Sequence, residues 1–306
     1  MLIESKFDIR FQLPGETSMV ALLHLHPSLD TALRTPDMLL VEHSDTEGST
    51  TVYPENYIDS FGNRCARFHS PAGDLRLSGR NTVELTELSD PQPFGAVQHP
   101  VADLPSEILQ FLLASRYCEV DRFNAIAYDL FSNLPPGGER AMAIRDWVHW
   151  KVRFDYSKAR PTKTAMDVYT EREGVCRDFQ HLAITLSRAM NIPARYVTGH
   201  LGDVRIPFSG AGDFSAWYQV WLDGHWWDMD ARHNEPRFGR VLMATGRDAA
   251  DVAITTSFGQ ANLTHFQVES TEVDPSGVRV PLPPRLTGVV EAAGNRPVDA
   301  IVAQAS

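Results

Sequence analysis

Cysteine is scarce in this sequence, which has three among 306 residues, at positions 65, 118 and 176. Their odd number and wide separation argue against a disulfide framework, and their spacing argues against a cysteine-based metal site. A reducing compartment fits this content best, so we expect a cytoplasmic protein. His24 and His26 share one face of a predicted strand, but no third ligand can be assigned to them. We therefore predict no metal ion and no cofactor.

Long hydrophobic runs and an excess of basic charge are also missing. No stretch approaches the ~20 apolar residues that a membrane-spanning helix needs, and the first eight residues resemble no signal peptide. The chain has 28 Lys and Arg against 39 Asp and Glu, for a net charge of -11. The basic residues are scattered along the sequence. This balance argues against nucleic acid or an anionic membrane as a partner.

The character of the sequence changes between residues 90 and 105. Short segments of alternating polarity, separated by turn residues, precede this stretch and are typical of an antiparallel β-sandwich. A proline-rich connector follows, and then helices are predicted at about 105–118, 121–132 and 138–152. The chain later returns to strands. We therefore predict an α+β protein with a β-sandwich domain at 1–95, an α+β core at 105–280 and an extended tail at 281–306.

Cys176 lies where a turn passes into a strongly patterned helix. An apolar stripe runs along this helix from the thiol: Phe179, Leu182, Ala183, Leu186, Ala189 and Met190. The N–H groups of a first helical turn favour a thiolate and lower the pKa of a cysteine. A buried, inert cysteine would give the same pattern, because free cysteine often behaves as a small hydrophobic residue. The spacing alone leaves both interpretations open.

The pair Asp223-Gly224 is a two-residue hairpin signal between two strand-like segments. If this turn sets the register, residue 217 lies opposite 230 and residue 215 lies opposite 232. Side chains alternate along a strand, so Ser215, Trp217 and Asp230 share one face. A histidine at 215 would meet Asp230 as a catalytic base meets the carboxylate that orients it. A serine there is no base near neutral pH.

Two blocks of sequence resemble the core of the transglutaminase-like superfamily, the bacterial branch of papain-like thiol enzymes. The first block is Gly174–Phe179 with Ile192–Gly199, and the second is Phe214–Trp217 with Trp227–Asn234, followed by Gly246–Val252. The resemblance implies a papain-like α+β core and a catalytic triad of Cys, His and Asp. Cys176 and Asp230 match two members of that triad, and Ser215 stands where the family has its histidine. The first domain resembles, more weakly, the β domain that precedes bacterial cores.

Other residues could assist Cys176. His233 follows Asp230 by three positions and could fold back as a base. Tyr156 lies about twenty residues before the cysteine, where the family often places a group on the oxyanion side. Trp217 could line a groove beside the thiol.

Three further histidines are weaker candidates for the base. His181 is expected on the helix surface, pointing away from the thiol. His225 is expected on the hairpin face opposite Asp230, and His200 has no partner that we can name.

The resemblance implies acyl transfer from a peptide or isopeptide amide to Cys176, and then to water or an amine. The missing histidine supports an alternative, a catalytically impaired member that binds a peptide or protein in the same cleft. The expected partner is a peptide or a protein in either case. The oligomeric state stays open.

Overall fold

The computed structural model describes residues 1–207, 209 and 212–284. Its strands are β1 (Leu2–Leu13), β2 (Thr17–Ala21), β3 (Met38–Asp45), β4 (Gly48–Val52), β5 (Glu55–Ile58), β6 (Arg64–Ser70), β7 (Gly73–Glu84), β8 (Arg153–Phe154), β9 (Glu173–Gly174), β10 (Ala194–His200), β11 (Phe214–Leu222), β12 (His225–Met229), β13 (Val241–Gly246), β14 (Thr255–Ser257) and β15 (Asn262–Val273). Its α-helices are α1 (Asn124–Phe131), α2 (Gly138–Lys151), α3 (Ala165–Glu171) and α4 (Cys176–Ala189). Short 3-10 turns lie at Pro27–Ala32, Val101–Asp103, Leu109–Leu112, Val120–Arg122, Tyr156–Lys158 and Ala249–Asp251.

Two antiparallel sheets form the β-sandwich predicted for the first part of the chain. One sheet has the strand order β15-β1-β7-β3-β4, and the other has the order β14-β2-β6-β5. The alternation along β1 turns Phe7, Ile9 and Phe11 inward, where they join Leu77 of β7 and Met19 of β2 in one apolar cluster. This cluster holds the two sheets together, because strands such as β1, β2 and β7 bury apolar side chains between them.

The far end of the described chain completes this sandwich. β15 pairs antiparallel with β1 from Leu2↔Val273 to Gln12↔Asn262, and β14 pairs with β2. The predicted second unit extends to residue 280, whereas the structure places β14 and β15 in the sheets of the first. Strand pairing between distant segments leaves no local signal in the sequence, because each strand shows only its own alternation.

The second unit is built around α4, which packs against a sheet of order β12-β11-β10-β13. Every residue from Cys176 to Arg188 is buried. The helix has no solvent-facing side, because α1, α2 and α3 contact it as well as β10 and β11. Together, the two units have the α+β architecture that the sequence predicted.

The expectation that His181 lies on the surface of this helix is wrong. His181 is fully buried, its ring stacks on Tyr117 at 4.9 Å, and its Nε2 accepts a hydrogen bond from the backbone N–H of Ala249 at 3.1 Å. Burial holds the pKa of His181 well below its usual value, with the nearby charges of Arg177 and Arg188 adding to the effect. The apolar stripe marks one face of α4, but the other faces of this helix are enclosed as well.

The helix predicted at about 105–118 is replaced by an irregular segment with a 3-10 turn at Leu109–Leu112. An α-helix would join the N–H of Tyr117 to the carbonyl of Leu113. Instead, that N–H donates to Asp248 at 2.8 Å, and the Leu113 carbonyl accepts from Arg188 at 2.9 Å. Tertiary partners therefore take the backbone groups that the helix would have paired.

The proline-rich connector is tied to the second unit along its length. The backbones of Asp90 and Arg237 are joined by a hydrogen bond of 2.9 Å, and the N–H of Gly138 donates to the Ala96 carbonyl at 2.9 Å. Val97 exchanges hydrogen bonds with Asp223, through its own N–H and its own carbonyl. The predicted tail at 281–306 lies outside the described residues from position 285 onward. Among the helices that the structure describes, none is long and apolar enough to cross a bilayer.

Candidate active site

Cys176 is the first residue of α4 and is 2% exposed. The turn before it is closed by Asp178, whose Oδ2 accepts a hydrogen bond from the N–H of Val175 at 2.9 Å. Gly174 permits this arrangement, because a Cβ at that position would lie 2.6 Å from the same oxygen. The run Gly-Val-Cys-Arg-Asp therefore fixes the start of the helix, and with it the position of the thiol.

The guanidinium of Arg232 lies beside this thiol. Its Nη1 is 3.5 Å from the Sγ of Cys176, and its plane covers the ring of Phe154 at 4.1 Å. Burial alone would lower the pKa of Arg232, but the neighbouring Cys176, Tyr156 and Asp230 outweigh it and raise this pKa. A permanent positive charge is thus held against the sulfur.

Helix α2 fixes the backbone of the same turn. The Nδ1 of His149 lies 3.0 Å from the carbonyl oxygen of Arg232, a distance that fits an Nδ1–H donor. The structure therefore constrains Arg232 through both its side chain and its main chain.

Asp230 follows β12 directly and is buried among hydrogen-bond donors. Its Oδ1 accepts from the backbone N–H groups of Arg232 at 3.0 Å and His233 at 3.1 Å, and from Gln180 Nε2 at 3.2 Å. Its Oδ2 lies 2.8 Å from His233 Nδ1 and 3.3 Å from Arg240 Nη2. Burial would raise the pKa of Asp230, but the His233 and Arg240 interactions reverse this and hold it well below its usual value. The carboxylate is ionised at neutral pH.

His233 folds back onto Asp230, in the way the spacing of three residues allowed. Its side chain is 22% exposed. Burial outweighs the carboxylate and lowers the pKa of His233 below its usual value. A neutral imidazole that donates from Nδ1 to Asp230 has a lone pair at Nε2. The pair therefore has the arrangement of an orienting carboxylate and a histidine base.

Ser215 lies on β11, opposite Gly199 of β10, and is 8% exposed. The hairpin register agrees with the sequence analysis, since Leu222 pairs with His225 and Tyr218 with Met229. The ladder ends at that last pair and the chain then turns, with the N–H of Asn234 donating to the Asp230 carbonyl at 2.9 Å, so the predicted position of Ser215 opposite residue 232 falls outside the paired strands.

Trp217 does not fit its predicted role in lining a groove, because it is 1% exposed. Its Nε1 donates to Asp228 at 2.7 Å, and the guanidinium of Arg240 lies over its ring at 5.0 Å. The indole therefore packs against the guanidinium of Arg240, and Arg240 in turn contacts Asp230. The large apolar side chain of Trp217 therefore packs inside the wall of the site.

Tyr156 begins the 3-10 turn after β8 and packs edge-on against Phe154, with ring centroids 4.7 Å apart. Arg232 covers the same phenylalanine, so Tyr156 belongs to the corner that holds the thiol. His200 and His225 lie elsewhere. His200 is buried against Phe214, and burial lowers its pKa to about 4, while His225 is exposed beyond the hairpin turn.

The other two cysteines are buried and poorly suited to act as nucleophiles. Burial, aided by Asp59, raises the pKa of Cys65 to about 11. Burial also raises the pKa of Cys118 to about 12. No group of three or more His, Cys, Asp or Glu side chains suited to a metal ion occurs within the described ranges. His24 pairs with Asp37 at 3.2 Å.

Arg232, Gln180 and Arg240 belong to this site but were not predicted from the sequence. Two of them carried a usable signal. Gln180 lies four residues after Cys176 and therefore on the same side of the helix, and Arg232 directly precedes His233, a candidate base. Arg240 carried no comparable signal, because a chain turn separates it from β12.

Comparisons with known proteins agree with this architecture. The profile of the Transglutaminase-like superfamily matches residues 124–231. A crystal structure from Cytophaga hutchinsonii, described as a "Putative Cysteine Protease", is 30% identical, with a TM-score of 0.76 over 92% of this chain and 94% of that chain. The chain contains a transglutaminase-like superfamily domain. The α+β fold class predicted from the sequence is thereby confirmed.

Two uncharacterized mycobacterial proteins are also similar to this chain. An uncharacterized protein of Mycobacterium leprae is 29% identical over 231 residues, which are 72% of this chain and 80% of that protein. An uncharacterized protein of Mycobacterium tuberculosis is 34% identical over 96 residues, which are 28% of this chain and 31% of that protein. The superfamily match includes Cys176, Ser215 and Asp230, whereas Arg232 and His233 lie directly after it.

Proposed function

We propose that this transglutaminase-like protein is a thiol acyl-transfer enzyme acting on peptide or isopeptide amides, with Cys176 as nucleophile. The observation that carries the proposal is the cluster around the thiol. A positive guanidinium lies 3.5 Å from the sulfur, and the next residue, His233, is paired with a buried carboxylate. Such a cluster can stabilise a thiolate and supply a histidine base.

In the proposed reaction the Nε2 of His233 takes the proton that the Cys176 thiol releases, and the thiolate attacks the amide carbonyl, forming an S–acyl bond while the C–N bond breaks. The leaving amine takes a proton from His233, and Asp230 stabilises the imidazolium until that transfer. Water or a second amine then gives a proton to His233 and attacks the thioester, the C–S bond breaks, and the released Cys176 sulfur recovers its proton from His233. Tyr156 is proposed as a donor to the oxyanion, because it packs in the same corner as Arg232. The proposal includes a peptide or protein partner and a cytoplasmic location.

The test measures turnover of fluorogenic peptide amides by the wild-type protein and three variants. Cys176→Ala should abolish turnover. His233→Ala should reduce kcat/KM by about 10²–10⁴-fold, because that is the usual contribution of general acid–base catalysis. Ser215→Ala is the matched control and should change turnover by less than about threefold if the serine takes no part. Wild-type turnover that persists in His233→Ala would reject the role of His233.

The position of Ser215 supports a second candidate, an impaired member that binds a peptide or protein without turning it over. The resemblance implies a histidine at the position of this serine, which lies on β11 opposite Gly199. This alternative predicts no amide turnover by the wild-type protein and measurable turnover by Ser215→His. The first proposal predicts the reverse, because the larger imidazole in place of a serine that is only 8% exposed would disturb a complete site. The single variant Ser215→His therefore distinguishes the two candidates.

A further inference from the structure

The thiol has a positive neighbour that does not depend on a histidine. Papain-like catalysis usually forms its thiolate by moving the cysteine proton onto an imidazole, so the ion pair exists only while that imidazole is charged. Here the sulfur lies 3.5 Å from the Nη1 of Arg232, and a guanidinium keeps its charge throughout the ordinary pH range.

The structure holds Arg232 in this position from three sides. Its side chain lies over the ring of Phe154, its N–H donates to Asp230 at 3.0 Å, and its carbonyl oxygen lies 3.0 Å from His149 Nδ1. A flexible surface arginine would have none of these restraints. A side chain fixed in this way loses little further entropy when the sulfur becomes charged, so its attraction for the thiolate is not offset by ordering.

The same turn keeps His233 available for another task. Burial lowers the pKa of His233 although the ring is bonded to Asp230, so His233 holds a positive charge less readily than an ordinary histidine. A neutral imidazole cannot be the counterion of a thiolate. The structure therefore separates two tasks that one histidine usually performs, with charge at Arg232 and proton transfer at His233.

We propose that Arg232 is the counterion of the Cys176 thiolate and is a further catalytic residue of the site. This inference rests on the proposed function for its catalytic meaning, but the charge pairing itself can be measured without turnover. Titratable or charged groups from several segments surround the sulfur and Arg232: Tyr156, Arg177, Asp178, Tyr196, Asp213, Asp230 and His233.

The test is the pH dependence of Cys176 alkylation by iodoacetamide, followed by mass mapping of the modified peptide. The wild-type midpoint should lie below the value of about 8.5 for a free cysteine. Arg232→Gln should raise the midpoint by roughly one to three pH units, the range by which a nearby opposite charge shifts a pKa. Arg232→Lys keeps a charge but lacks the planar stack on Phe154, so it should give an intermediate midpoint.

Two further variants complete the test. Arg237→Gln is the matched control, because it removes a buried guanidinium that donates to the Gly202 carbonyl at 3.2 Å, and it should leave the midpoint nearly unchanged. His233→Ala should also leave the midpoint low, which it would not do if an imidazolium were the counterion. If Arg232→Gln does not fold, Arg232→Met retains the packing on Phe154 and tests the same loss of charge.

An unchanged midpoint in the folded Arg232 variants would overturn the inference, and so would a His233→Ala midpoint raised as far as that of Arg232→Gln. The outcome is separable from the proposed function. A low midpoint that depends on Arg232, with no turnover of any peptide amide, would keep this inference and reject the enzyme. Turnover of a peptide amide with an alkylation midpoint independent of Arg232 would reject this inference and keep the enzyme.

Discussion

At the scale of single residues, the surroundings of each histidine determine whether it can exchange a proton. His181 and His200 are fully enclosed, and burial lowers the pKa of both rings. His233 is partly exposed and has a carboxylate at its Nδ1. The ability to exchange a proton therefore differs among these three histidines, because solvent and a charged partner determine the pKa of each ring.

His200 should make the protein less stable in acid. The unfolded chain binds a proton on this ring at about pH 6.5, whereas burial lowers the folded pKa to about 4. Below pH 6.5 the unfolded state therefore binds more protons, so stability falls as the pH drops toward 4. The loss from this one ring is roughly 3 kcal/mol over that interval.

Urea unfolding at several pH values between about 7 and 4.5 checks this prediction. His200→Phe should lessen the fall in unfolding free energy, because phenylalanine suits the packing against Phe214 and takes up no proton. His225→Gln removes an exposed ring and should leave the pH dependence unchanged. Equal pH slopes for wild-type and His200→Phe would contradict the assignment.

Residue-level features of the site could be predicted to the extent that they follow from local geometry. The helix start at Cys176, the register of Asp230 and the return of His233 each depend on spacing within a few residues. The burial of Trp217 and His181 could not be predicted in this way. It depends on what covers each side chain, and the covering residues come from segments distant in sequence, such as Arg240 and Tyr117.

At the scale of elements, the start of α4 is determined by a short cap. Asp178 accepts the N–H of Val175, and Gly174 leaves room for that carboxylate. Two-residue strands β8 and β9 pair in parallel immediately before it, and the N–H of Asp155 donates to the Gly174 carbonyl at 2.9 Å. The thiol is therefore positioned by backbone hydrogen bonds on one side and by a side-chain cap on the other.

Gly174→Ala should destabilise the protein by about 1–3 kcal/mol, the usual cost of forcing extra volume into a packed site. The added methyl would lie 2.6 Å from Asp178 Oδ2 and displace the cap. Chemical denaturation gives the change in unfolding free energy, and the alkylation rate of Cys176 shows whether the thiol has moved. Gly15→Ala is the control, since nothing lies within 4 Å of its added carbon. Equal effects of the two changes would show that the cap does not constrain α4.

Secondary structure could be predicted where an element is regular and its backbone pairs internally. Helices α1, α2 and α4 meet this condition, as do β10, β11 and β12. The segment at 105–118 has helical spacing, but Arg188 and Asp248 take its backbone partners. Helix propensity reflects only the interactions within a segment. A distant arginine or aspartate can therefore determine the structure of that segment without leaving a signal in its sequence.

At the scale of the whole molecule, the two units share their cores. The apolar cluster of the sandwich includes Val204, Phe214, Val241 and Met243, which belong to the second unit by sequence. Ion pairs also link the connector to the site, because Arg240 contacts Asp90 of the connector at 2.7 Å and Asp230 of the site at 3.3 Å. We therefore expect the described parts of the chain to unfold as one cooperative body.

Val268→Asp in β15 tests this expectation, because all six tryptophans lie between residues 147 and 227 and report on the second unit alone. Val268 is buried in the sandwich, and a charge there should cost about 2–5 kcal/mol. If the molecule is cooperative, the tryptophan fluorescence transition in urea moves to lower concentration by the same free energy. Gln267→Lys changes the adjacent, exposed position and should move it little. A tryptophan fluorescence transition at the same urea concentration in the wild-type protein and in Val268→Asp would indicate independent units.

The pairing of β15 with β1 also has a consequence for how the chain acquires its structure during synthesis. β1 leaves the ribosome well before residues 262–273, which cover one of its two edges. During that interval its open hydrogen-bonding groups can pair with another nascent chain, as unprotected strand edges do. Closing a sheet across most of the sequence is also slow, because the loop must form before the contacts that stabilise it. Yield in cells should therefore depend on whatever shields this edge until translation has passed β15.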